Sequence, residues 1–105
     1  MSTKVFNKLV RDRIPDIIAE KGKSCETKIV EGSELISALA TKLIEEKDEF
    51  QEEPSVEELA DILEVVHGLI HHHGTTLEEV EIQRQKKREL RGGFDNGVFL
   101  ISVSE

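Results

Sequence analysis

The sequence predicts a mainly α protein, an antiparallel bundle of four or so helices with a small β element beside it. Three observations lead there. Apolar residues recur at helical spacing through two long stretches, 34–52 and 56–73. Both stretches are punctuated by helix signals: Ser33 and Ser55 ahead of them, Pro54 and Gly74 behind. The bulk comes almost wholly from Leu, Ile and Val, with no Trp or Tyr and only Phe6, Phe50, Phe94 and Phe99 as aromatics, which suits a helical bundle better than a β-sandwich.

Taken in order, residues 4–10 alternate like a short extended segment and run into the charged cluster Arg11-Asp12-Arg13. Pro15 suits the first turn of a short helix over 15–21, with Ile14, Ile17 and Ile18 as its apolar side and Gly22 just past its end. Residues 25–30 read as a strand, because Thr27, Ile29 and Val30 are β-branched. A strand needs a partner, and the expected one is 98–103 (VFLISV), introduced by the turn residues Asp95-Asn96-Gly97. Ser33 is expected to cap the long helix over 34–52. Ser55, with Glu58 three residues on, caps the next, 56–73, which stops at Gly74. Thr75 or Thr76 starts a fourth helix that runs to about Leu90 and ends at Gly92-Gly93.

The stretch 42–61, KLIEEKDEFQEEPSVEELAD, carries acids in a doubled pattern: Glu46 and Glu49, then Glu58 and Asp61. Residues three apart on a helix share a face. At about 100° per residue, Leu39, Leu43 and Phe50 fall within roughly 60° of Glu46, so Glu46 lies inside the apolar arc, with Glu49 and Lys42 on its edge. On the next helix Ile62, Val65 and Leu69 fall within about 40° of Glu58, and Asp61 stands at the border. Carboxylates in apolar surroundings repel one another and lose hydration, so a positive group belongs among them. An all-oxygen set suits a hard divalent cation, Mg²⁺ first, with Mn²⁺ possible. Glu45, turned about 100° away from Glu46, reads first as a solvated residue and alternatively as a group that supports a metal ligand from behind.

These residues resemble a family. Glu45-Glu46-x-x-Glu49 followed by Glu58-x-x-Asp61 is similar to the EExxE...ExxD signature of the MazG-like all-α nucleoside triphosphate pyrophosphohydrolases, a superfamily that includes phosphoribosyl-ATP pyrophosphohydrolase. Asn7-Lys8-Leu9-Val10-Arg11-Asp12-Arg13-Ile14-Pro15 and Arg91-Gly92-Gly93-Phe94 resemble a subgroup of small single-domain members. The resemblance implies hydrolysis of a nucleoside triphosphate between its α- and β-phosphates. It implies Glu46, Glu49, Glu58 and Asp61 as the catalytic metal ligands. Phosphoribosyl-ATP hydrolysis in histidine synthesis, or a non-catalytic helical module, are the rival readings.

Cations near such a centre are candidates to meet substrate phosphates, and Lys8, Arg11 and Lys42 are read so. On the fourth helix the line Leu77, Val80 continues as Arg84, Lys87 and Arg91, placing cations where a packed helix would place leucine. Lys87 and Arg91 join the phosphate candidates. The acidic start and basic end of that helix also suit its dipole. His67 and His71 are spaced to hold zinc, but consecutive histidines at 71–73 point in different directions and suit a helix C-terminus without metal. Cys25, the only cysteine, reads as a buried small residue.

At 105 residues the chain is read as one domain, 1–105. A net charge of −8 argues against a nucleic-acid partner. No apolar run reaches membrane-spanning length and no apolar signal segment opens the chain, so a soluble, cytoplasmic protein is expected. Apolar residues cover about half of both central helices, more than a short first helix and a polar fourth can hide, which predicts a homodimer or higher homo-oligomer.

Overall fold

Four helices and no strand make up the regular structure of residues 2–105, the part described by the structure, a computed structural model. They are α1 (Ile14–Glu20), α2 (Gly32–Glu52), α3 (Val56–His73) and α4 (Leu77–Arg91). The fold is mainly α, as the periodicity predicts. The chain divides into two compact units, Met1–Gly74 and Thr75–Glu105.

The first unit is built on α2 and α3, which pack on one another. Their hairpin follows from local chemistry at residues 53–55. Pro54 disfavours helical backbone at Glu53, which leaves α2 at φ −141°, ψ 83°. Ser55 is extended, and its hydroxyl accepts the Glu58 N–H at 3.1 Å, so α3 starts with a satisfied end. The far end of α3 stops at Gly74, whose left-handed backbone (φ 88°, ψ 21°) disfavours any residue with a Cβ.

Leu39 on α2 and Val65 and Ile70 on α3 are the buried apolar side chains of the described residues, and Glu46 on α2 is buried as well. Gly68 leaves room for Leu39: a Cβ there would sit 3.1 Å from a Leu39 methyl. Burying such a side chain contributes about 1.5–3 kcal/mol, so a core of three is small. Ile44, Leu59 and Leu63 on the same helices are more than half exposed.

α1 grows out of a turn in which the Ile14 N–H donates to the Arg11 carbonyl at 3.1 Å, and Pro15 occupies its first turn. Gly22 ends it at φ 76°. In the second unit, the Thr76 hydroxyl caps α4 through the Glu79 N–H at 3.1 Å. Arg88 crosses the bare backbone of Gly93 to reach Asp95 at 3.0 Å; a Cβ at Gly93 would collide with the guanidinium.

Three expectations need correction. The β element of 25–30 and 98–103 is absent among the described residues: neither segment enters a ladder, and Ile29, Phe99 and Ile101 are exposed. The turn before 98–103 does form, with the Gly97 N–H on the Phe94 carbonyl at 3.3 Å, but a turn and β-branched side chains do not make a strand without a paired backbone. Ser33 does not cap α2, because Gly32 turns the chain in at φ 57° and puts Ser33 inside the first turn; Glu31 is the N-cap, without a side-chain bond. Cys25 is exposed rather than buried.

Candidate metal centre

Glu46, Glu58 and Asp61 come together where α2 and α3 face each other: one carboxylate oxygen from each lies within 4.8 Å of the others. The hairpin makes this meeting. Glu46 stands two turns after Leu39 on the same face of α2, so the contact that buries Leu39 also buries Glu46, to 6 % exposure. Glu58 and Asp61 lie in the first two turns of α3, just beyond the turn that reverses the chain, and are partly buried. Glu49, the fourth predicted ligand, is exposed and lies outside this group, beside Glu46.

The electrostatics are unbalanced. Burial pushes the Glu46 carboxyl above its usual range, and the neighbouring Glu49 pushes it further, while Lys42 at 3.4 Å offsets part of the shift. Oε2 of Glu46 and Oε2 of Glu58 are buried and have no hydrogen-bond partner among the described residues. A buried, unpartnered carboxylate oxygen is costly, and a bound cation is one arrangement that satisfies it. Three convergent carboxylates fit Mg²⁺ or Mn²⁺ by ligand type, with water completing the shell.

Two cations reach these acids, Arg11 and Lys42, and Lys8 reaches the adjoining Glu45. Arg11 Nη2 donates to Asp61 Oδ1 at 2.8 Å. Lys42 and Lys8 both bond Oε1 of Glu45, at 3.2 and 3.1 Å. Burial pushes Glu45 up, but the two lysines outweigh it and hold the carboxyl below its usual range. Glu45 is therefore a tether between the N-terminal segment and α2, not the freely solvated acid its wheel position predicts. Lys8, Asn7, Thr41 and Lys42 line a shallow cleft of about 230 Å³ next to it. The pairing of Arg11 with Asp61 is not legible in the sequence beyond the presence of a cation cluster in an acidic chain, since the partners are 50 residues apart.

Lys87 and Arg91 are exposed on α4, in the second unit, so their reading as phosphate contacts rests on the sequence alone. His71, His72 and His73 are exposed in the last turn of α3, where His71 and His72 meet edge to face at 4.8 Å. Among the described residues they join no convergent ligand group with His67. No helix of the described residues is long and apolar enough to cross a membrane. No protein-family model, curated protein or solved structure matches this chain.

Proposed function

We propose that the chain is a Mg²⁺-dependent nucleoside triphosphate pyrophosphohydrolase, splitting its substrate between the α- and β-phosphates into a monophosphate and pyrophosphate. The observation that carries the metal centre is Glu46, a carboxylate 6 % exposed whose Oε2 has no hydrogen-bond partner among the described residues, and which converges with two further carboxylates. The choice of bond comes from the resemblance of the acidic and flanking motifs to the MazG-like enzymes, not from the site itself. A house-cleaning role on non-canonical nucleotides in the cytoplasm is the setting that resemblance suggests.

Glu46, Glu58 and Asp61 would hold the ion, with Glu49 at the open side next to Glu46. Bound there, the ion would supply charge neutralisation toward the triphosphate and a lowered pKa for an attacking water. The remaining chemistry falls to the chain. Lys8 and Lys42, converging on one oxygen of Glu45, present a pair of ammonium groups that phosphate oxygens would compete for. Arg11 adds a guanidinium beside Asp61.

The active form is proposed to be a homodimer or larger assembly of this chain, because Ile44 on α2 and Leu59 and Leu63 on α3 are more than half exposed, apolar surface that a second copy would cover. Light scattering at micromolar concentration should give at least twice the chain mass of 11.9 kDa. The activity is tested by incubating the protein with a panel of canonical and damaged triphosphates and Mg²⁺. Pyrophosphate should appear with the monophosphate, and chelation should stop it; orthophosphate as the first product would remove the proposed bond choice.

A further inference from the structure

The same N-terminal segment is fastened to both helices of the hairpin: Lys8 to Glu45 on α2, and Arg11 to Asp61 on α3. The two attachments differ in kind. Glu45 is outside the convergent carboxylate group, whereas Asp61 is a member of it, so Arg11 is bonded to a carboxylate that a metal ion would draw on. We propose that Arg11 is an exchangeable counter-cation of this centre: it neutralises Asp61 while no metal is bound and, displaced when a divalent ion takes Asp61, becomes free to bind substrate phosphate. This rests on the metal centre proposed above.

Four features favour the exchange. Three carboxylates within 4.8 Å need positive charge whether or not metal is present, and Lys42 reaches only Glu46 among them. The Arg11–Asp61 pair is open to water, with side-chain exposures of 56 % and 31 %, and an ion pair of that kind is weak enough to be given up. A guanidinium left against the ligand of a dication would repel it, so one must leave as the other arrives. Finally, the Arg11 backbone is held by the turn that starts α1, through the Ile14 N–H, while Lys8 keeps the segment on α2. The side chain can therefore swing without detaching the segment, and its planar fork suits two phosphate oxygens. Metal binding thus prepares the phosphate site, and the two ligands bind cooperatively.

Mn²⁺ binding to the full chain, followed by electron paramagnetic resonance without nucleotide, tests this directly. Arg11→Gln should bind Mn²⁺ roughly 3- to 10-fold more tightly than the parent, because the competitor is gone. The same variant, saturated with Mn²⁺, should bind a non-hydrolysable triphosphate more weakly. Opposite signs are what a merely structural arginine would not produce. A magnetic resonance titration with Mg²⁺ serves as a second measurement on the unmodified chain, with the Arg11 Nε–H signal assigned by its absence from Arg11→Lys. That signal should move in step with metal saturation. Unchanged or weaker Mn²⁺ affinity in Arg11→Gln, or an Arg11 signal indifferent to bound Mg²⁺, overturns the exchange and leaves the metal centre standing. Absence of any Mn²⁺ binding by the parent overturns both.

Discussion

The α2–α3 hairpin and α4 carry the same kinds of residue and do opposite things with them. Both have acids at helical spacing and lysines or arginines one turn away. On α4, Arg84 bonds Glu81 at 2.8 Å in open solvent, and the hydrogen bond from that guanidinium holds the Glu81 carboxyl below its usual range. The charge is settled locally, between neighbours on one helix. On the hairpin, the packing of a second helix puts Glu46 under cover and brings Glu58 and Asp61 to it, so one local lysine is not enough. A carboxylate becomes a candidate ligand through what is packed around it rather than through its spacing alone.

The sharpest way to break this contrast is activity. Glu46→Gln or Glu58→Gln should lower Mg²⁺-dependent pyrophosphate release by on the order of 100-fold or more, since even groups that only support metal ligands cost 10- to 100-fold. Glu81→Gln should leave it within assay error. A comparable loss in Glu81→Gln would mean that the assay reads overall charge.

Stability should divide the same two regions. Leu39→Ala removes one of three buried apolar side chains and should cost about 2–4 kcal/mol in denaturant unfolding. Leu90→Ala, at an exposed site on α4, should stay within about 0.5 kcal/mol. Equal effects would place the stabilising packing elsewhere.

Glu46→Gln should raise the stability of the chelated protein by about 1 kcal/mol, because it removes a buried charge while Lys42 keeps Glu45 as its partner. Saturating Mg²⁺ should reverse the ranking, as the parent gains from binding that the variant lacks. Thermal melts with chelator and with metal decide it, and a variant that melts below the parent in chelator would refute the reading.

The smallest expected effect is in the pH dependence of the metal-free chain. The folded-state pKa of Glu46 is raised, so its contribution favours the fold below the ordinary carboxylate range and is lost as pH climbs through and above it. Glu81 is lowered, so its contribution is present above that range and is lost as pH falls below it. Melts across this window should therefore show Glu46→Gln losing less stability than the parent on the alkaline side. Glu81→Gln should differ, slightly, only on the acid side. Identical profiles would mean that neither carboxyl is perturbed by its surroundings.

Much of the chain was legible because it rests on short-range rules. Pro54 breaking the helix, Ser55 and Thr76 capping, Gly74 stopping α3, and the periodicity that placed Glu46 in line with Leu39 all act within a turn or two. What depends on distant partners was not. The segments 25–30 and 98–103 have strand-like residues, yet strand formation is decided by a neighbouring backbone, and none pairs with them among the described residues. The entry to α2 turned on the positive φ of Gly32, which outweighed the capping preference of Ser33. The spacing put Glu49 with the other acids; only the packed hairpin showed that Glu46, Glu58 and Asp61 converge while Glu49 stays exposed. Arg11 on Asp61 and Lys8 on Glu45 likewise required the fold, since partners 50 and 37 residues apart are joined by the path of the chain and not by any period in its sequence.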